Sequence, residues 1–277
     1  MKKNIFIEGI PGCGKTTLLN RLNEALPEYQ CFREGDWSPV ELAWCSYMNQ
    51  DEYEKALRLF PMLEEEIRKN TIDEGEKKVV TYTKIRTEEP DFYSYMEQFE
   101  IYNGRRTRGE FHDIVMSRFQ RFNETGKLFE CSFFQNIVEE LLLYEQYEEE
   151  KIFAFYKELL EHVDLNSFLL IRLETTDIKT TIEQIKKERV NEQGEEVWYR
   201  MMMEYLNQSP YGKVHQYSTF QDLVDHFTRR MQMEDRIMKE LLTNHCIRLE
   251  SKKYTFEEVI ADIKSFANEE CKDRSVE

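Results

Sequence analysis

Three glycines and a lysine carry the clearest chemistry in the chain: Gly9-Ile10-Pro11-Gly12-Cys13-Gly14-Lys15-Thr16 has the form G-x-x-x-x-G-K-T, and Thr17 follows it. Each residue type has a task in gripping a polyphosphate. Gly9, Gly12 and Gly14 admit positive φ and a close approach of the backbone, so that successive N–H groups can surround an anion. Lys15 brings a mobile positive charge to the β- and γ-phosphates, Thr16 offers a hydroxyl to Mg²⁺, and a helix opening here adds the positive end of its dipole. Cys13 puts a thiol in the loop; phosphoryl transfer needs no thiol, and we read it as a filler.

Such a loop works only if a strand delivers it and a helix carries the chain away. Asn4–Glu8 is a short apolar, β-branched run, and Leu18, Leu19, Leu22, Ala25 and Leu26 recur afterwards at helical spacing. A second short strand is expected at Cys31–Arg33, ending in the polar Glu34-Gly35-Asp36, with Ser38-Pro39 as N-cap and first turn of a following helix. The stretch from Tyr53 to about Asn123 reads as mostly helical, with Leu57, Phe60, Leu63 and Ile67 on one face and Phe92, Tyr95, Met96 and Phe99 on another. Leu128–Cys131, Phe168–Leu173 and Cys246–Leu249 read as further buried strands; Ile137–Tyr147 and the positions Phe256, Val259, Ile260 and Ile263 read as amphipathic helices. Strands separated by helices predict an α/β fold, a parallel sheet flanked by helices on both faces that binds ligands at the strands' carboxyl ends.

Composition narrows the choice of partner. The chain has 277 residues, 40% apolar and 13% aromatic, enough for a sizeable core, and a formal net charge of −16 that repels nucleic acid and anionic membranes. The six cysteines show no C-x-x-C pair and no zinc-ligand spacing, which suggests reduced thiols. The apolar stretch after the opening lysines breaks at Glu8, so neither a signal peptide nor a spanning helix is expected, and the predicted location is the cytoplasm. Without repeats or linkers, the expectation is one domain over 1–277, with a helical insertion at about 50–125 and a loose tail at about 268–277.

The guanine-reading N-K-x-D motif and the D-x-x-G switch are absent. With those set aside, the sequence resembles the P-loop kinases of the deoxynucleoside kinase and thymidylate kinase type, in four places spread over most of the chain. The first is the phosphate loop, which implies the P-loop NTPase fold, ATP as donor and Mg²⁺ as cofactor. Arg33-Glu34-Gly35-Asp36-Trp37 is similar to the segment in which those families place an acid beside the acceptor hydroxyl, here Glu34 or Asp36, although Gly35 replaces their proline. Phe129-Glu130-Cys131-Ser132 resembles their Glu-Arg-Ser or Asp-Arg, which implies a role for Glu130 at Mg²⁺, with Cys131 where they carry arginine. Ile185-Lys186-Lys187-Glu188-Arg189, followed by Glu195-Glu196, Tyr199 and Tyr205-Leu206, is similar to their arginine-bearing lid. The lid then spans about 185–212, with Arg189 as the cation that closes over the phosphates and Lys186 and Lys187 as accessories.

Trp37, Arg105 and Arg106 are weaker candidates for acceptor contacts; Asn103-Gly104-Arg105-Arg106 serves equally well as a helix cap. The expected partner is a small-molecule phosphoryl acceptor, a nucleoside or nucleotide before an antibiotic or other metabolite, on a monomer or homodimer. A non-catalytic nucleotide-binding switch is the alternative outside enzymes.

Overall fold

The computed structural model of the chain describes residues 2–273. β1 (Asn4–Glu8) is buried at every position, which accounts for its near-continuous apolar sequence. The glycine loop then leads into α1 (Lys15–Ala25), which buries Leu18, Leu19 and Leu22. Its N-cap is Gly14 in the left-handed conformation, and no side chain caps its first amides. β2 (Gln30–Phe32) follows.

The next stretch holds β3 (Ser46–Met48), α2 (Gln50–Leu59), α3 (Glu64–Lys69), β4 (Thr71–Asp73), β5 (Lys78–Val80), α4 (Phe92–Met96) and α5 (Arg108–Arg121). After it come β6 (Lys127–Glu130), α6 (Gln135–Glu139), α7 (Glu149–Glu161), β7 (Phe168–Glu174), α8 (Ile178–Glu188), α9 (Val197–Gln208), α10 (Pro210–His215), α11 (Phe220–Leu241), β8 (Cys246–Glu250) and α12 (Phe256–Asp273). Between α6 and α7 the Glu140–Tyr144 segment winds as a π-helix.

By contacts the chain divides into two compact units, one made of the residues up to Cys31 with those from Asn123 onward, the other of Phe32–Phe122. The first contains a five-stranded sheet in the order β2-β6-β1-β7-β8. β1 pairs in parallel with β6 and with β7, and β7 in parallel with β8, so the carboxyl ends of the central strands share one edge. Helices flank this sheet, and the glycine loop leaves its middle strand: the P-loop α/β fold expected from the sequence.

The second unit differs from the mostly helical layer predicted there. It includes a three-stranded antiparallel sheet, β3-β5-β4, with Ser46 opposite Val80 and Ile72 opposite Val79. Strands of three residues are too short to show an alternating pattern in the sequence. The two predicted apolar faces meet in one core, where Leu57, Phe60 and Ile67 pack with Val80, Tyr82, Phe92 and Met96.

The helix expected after Ser38-Pro39 does not form. Ser38 Oγ does accept the amides of Val40 and Glu41, both at 3.3 Å, but Glu41 turns its own carboxylate onto the Ala43 amide at 2.6 Å, and Trp44 adopts φ +61°. The Ala43 amide, which a helix would have bonded to a backbone carbonyl, is taken by the Glu41 side chain instead. The next helix is α2, started by the reciprocal capping pair Asn49 and Glu52. At the other end α12 runs on to Asp273, into the stretch expected to be a loose tail, as its Glu- and Lys-containing sequence permits. The remainder of that tail, 274–277, lies outside the described residues.

Candidate active site

Gly9 and Gly12 show why the loop has its sequence. Both have positive φ, +146° and +80°, and neither has room for a side chain. A Cβ on Gly9 would lie 2.6 Å from the Leu173 carbonyl oxygen, and one on Gly12 would lie 2.3 Å from Cγ1 of Ile185. The loop therefore packs against the end of β7 on one side and against α8 on the other, along a path that only glycine follows.

Lys15 is 8% exposed, and its ammonium donates to the carbonyls of Gly9 at 2.7 Å and Ile10 at 3.3 Å. These bonds fold the side chain back over the loop and engage two of the three ammonium donors. Cys13 is buried within the same turn, and burial pushes its thiol up, against the pull of Lys15. A thiol kept protonated is a poor nucleophile, in keeping with its reading as a filler. The Cys13 carbonyl accepts the Ser251 hydroxyl at 2.9 Å, and the Ser251 amide bonds the Glu174 carbonyl at 2.7 Å. The turn after β8 thus braces the glycine loop, a role with no signal in the sequence.

Thr16 Oγ1 donates to Glu130 Oε1 at 2.5 Å. Glu130 ends β6, opposite Ile7 of β1, and is buried. Two hard oxygen donors from separate elements are thereby brought together next to the loop. Mg²⁺ is commonly held by one or two protein oxygens, with phosphate and water supplying the others, and this donor pair fits that demand. Among the described residues, no group of three or more His, Cys, Asp or Glu is arranged to hold a metal ion.

Directly after Glu130 the chain turns through Cys131 at φ +58°, whose amide bonds the Ile7 carbonyl at 3.1 Å. Glu8 secures the residues that follow. Its Oε1 accepts the amides of Phe133 at 2.7 Å and Phe134 at 3.0 Å, and its Oε2 accepts that of Gln135 at 3.2 Å. Glu8 is fully buried, and burial pushes its carboxyl up to about 7 against the opposing pull of the Phe134 and Phe133 amides. Sequence reasoning took Glu8 only as the end of an apolar run; an acid at the last position of an otherwise apolar strand was the available signal.

Farther along α6, Glu139 binds His226 at 2.8 Å and Arg230 at 3.0 Å, and Arg230 also binds Glu234 at 2.6 Å. Burial would raise the Glu139 carboxyl, but the His226 and Arg230 charges and hydrogen bonds hold it down to about 2.

The cations of α8 have different surroundings. Lys186 pairs with Glu196 at 3.1 Å and lies 4.2 Å from the centre of the Tyr199 ring, so it ties α8 to α9. Lys187 is exposed. Arg189, also exposed, caps α8 one turn beyond Ile185, the residue that touches Gly12. Its guanidinium lies 5.9 Å from the centre of the Trp198 ring of α9.

Glu34, Asp36, Trp37, Arg105 and Arg106 all belong to the second unit. Asp36 is committed locally: its carboxylate accepts the Arg33 amide at 2.8 Å and pairs with Lys84. Glu34 accepts the Trp44 indole N–H at 3.2 Å, and Trp44 is 47% exposed despite its left-handed backbone. The Trp37 indole donates to Glu74 at 2.6 Å, and Glu74 also pairs with buried Arg118 at 2.8 Å. Arg105 pairs with Glu97 at 2.9 Å, while Arg106 donates to the carbonyls of Tyr47 at 2.6 Å and Phe99 at 2.8 Å. Two buried acids here escaped sequence reasoning: burial pushes Glu41 up to about 8 and Glu100 to about 7. Nothing in their sequence neighbourhoods separates them from the many surface glutamates.

No protein-family model matches the chain, and no curated protein matches it in sequence. Among solved structures it is similar to a gluconokinase from Sinorhizobium meliloti 1021, over 99% of this chain and 96% of that one, at 9% identity and a TM-score of 0.35.

Proposed function

We propose that the chain is an ATP- and Mg²⁺-dependent phosphotransferase that moves the γ-phosphoryl group of ATP to a small-molecule acceptor. The observation that carries the reading is the convergence of the Gly9–Gly14 turn, the folded-back Lys15 and the Thr16–Glu130 oxygen pair at the carboxyl ends of β1 and β6. A ring of amides, one fixed cation and two metal-binding oxygens are the parts a triphosphate tail requires.

In this reading the loop amides and the uncapped start of α1 hold the β- and γ-phosphates, and Lys15 neutralises charge between them. Thr16 and Glu130 would hold Mg²⁺, which would supply further charge neutralisation for the transferring group. Glu34 accepts the acceptor hydroxyl's proton and orients its oxygen in line. Arg189 meets the charge spreading over the γ-phosphoryl oxygens, and closure of the 185–212 segment excludes the water that would otherwise hydrolyse ATP. The acceptor is a nucleoside or nucleotide. Cys131, where the resembled kinases carry arginine, favours a second reading in which the acceptor is an antibiotic or other metabolite.

The test is transfer of label from γ-labelled ATP to a panel of nucleosides, nucleoside monophosphates and common antibiotics. Label on one class identifies the acceptor. Lys15→Met abolishes transfer and leaves the melting temperature unchanged. Transfer retained by that variant, or calorimetry in which Mg·ATP fails to bind the wild type, refutes the proposal; tight ATP binding with no label transferred to any acceptor favours a switch.

A further inference from the structure

Glu8 has no place in the phosphotransfer scheme above, yet it is a carboxylate with 0% exposure adjoining the first glycine of the loop. Removing a carboxyl group from water is costly before its partners are counted, where an apolar residue would extend the rest of β1. Its partners are three consecutive amides, those of Phe133, Phe134 and Gln135. They open α6, where amides lack intrahelical acceptors.

The position of this clamp is what matters. Ile7 is opposite Glu130 in the β1–β6 register, so Glu8 is one step beyond, where the chain leaving Glu130 must turn. That turn passes through Cys131 in the left-handed region, a conformation that a non-glycine residue holds only under restraint. Its restraints include the Cys131 amide on Ile7, the Ser132 hydroxyl on the Glu130 carbonyl at 3.0 Å, the Asn136 side chain on the Cys131 carbonyl at 3.2 Å, the Tyr156 hydroxyl on the Phe133 carbonyl at 2.8 Å, and the Glu8 clamp. Of these, Glu8 supplies three bonds.

We infer that Glu8 is a positioning residue: by tying the segment after Glu130 to the residue before Gly9, its carboxylate holds Glu130 against Thr16 and sets the affinity of the site for nucleotide-bound Mg²⁺. The inference rests on the reading of Thr16 and Glu130 as metal ligands. Groups that orient metal ligands without touching the metal typically contribute about 10–100-fold to its affinity.

The experiment measures binding of a fluorescent ATP analogue with EDTA and over a Mg²⁺ titration, for wild type, Glu8→Gln, Glu130→Gln and His226→Gln. Gln keeps the shape of Glu8 but turns an N–H₂ toward an amide. The expected result is unchanged affinity in EDTA for Glu8→Gln, with half-saturating Mg²⁺ raised about tenfold, in the direction of Glu130→Gln. His226→Gln, which disturbs the buried partner of Glu139, controls for lost stability and keeps the wild-type Mg²⁺ response. A Glu8→Gln response equal to that of the wild type overturns the inference, as does a loss that His226→Gln shares in proportion to its fall in melting temperature. If the wild type binds the analogue with no Mg²⁺ effect, the metal-ligand reading fails and takes the inference with it. Should Glu8→Gln not fold, Glu8→Asp, which retracts the charge by one methylene, is read by the same two outcomes.

Discussion

Gly12 illustrates how much a single position is asked to do. Alanine there would place its Cβ inside the Ile185 side chain and would have to hold φ +80°. The backbone strain alone is worth roughly 1–2 kcal/mol, and its relief requires the loop backbone to move. Gly12→Ala is expected to weaken ATP-analogue binding by about tenfold or more, since about 1.4 kcal/mol is one factor of ten; calorimetry measures it. Glu34→Gln is expected to lower kcat by about 10²–10⁴ with analogue binding intact. Asp36→Asn, which loosens a turn held by Lys84, is expected to lower the melting temperature more than kcat. If Arg189 has the role proposed for it, Arg189→Ala is expected to reduce kcat about 10³-fold while binding of an unreactive ATP analogue is retained. Steady-state kinetics beside binding data check all three.

Single elements have their own signatures. α2 begins with Asn49 accepting the Glu52 amide at 2.9 Å and Glu52 returning a bond to the Asn49 amide at 2.7 Å. Asn49→Ala is expected to cost about 1 kcal/mol, read as a shifted urea midpoint with an unchanged slope. That cap was missed in favour of Ser38-Pro39, which has the same kind of residues. Local composition did not reveal that Glu41 would compete for the amides after Ser38. The strands of the large sheet were legible because burial on both faces gives them apolar runs, Ile5–Ile7 in β1 and Phe168–Ile171 in β7. The glycine loop was legible because its conformation admits few residues. β3, β4 and β5 were not, being too short for a period. Ser251 and Glu8 were not, because what they brace is distant in sequence, and spacing along the chain carries no trace of it.

For the molecule as a whole, buried acids dictate the response to pH. Burial raises Glu41 to about 8 and Glu100 and Glu8 to about 7, so the native state keeps protons that the unfolded chain has released. The stability tied to these groups is fully present below the unfolded carboxylate range and is lost as pH rises through 7 to 8. Glu139 acts in the opposite sense. Burial opposes its ionisation, but its bonds to His226 and Arg230 hold it near 2, so its contribution is present above the unfolded range and disappears as pH falls through that value. The melting temperature is therefore expected to be higher at about pH 6 than at about pH 8.5, and Glu41→Gln is expected to flatten the alkaline decline. Thermal melts in matched buffers check both; a curve that rises steadily toward alkali contradicts the burial argument.

The bond from Ser251 to the Cys13 carbonyl joins residues 238 positions apart. During synthesis the amides that would cradle phosphate therefore leave the ribosome long before the hydroxyl that steadies them, and β8, the strand just ahead of that hydroxyl, completes the edge of the sheet. A nascent or truncated chain lacking these late residues would have the glycine motif without its buttress. Under the proposed function, fragments carrying the motif alone should be silent toward ATP.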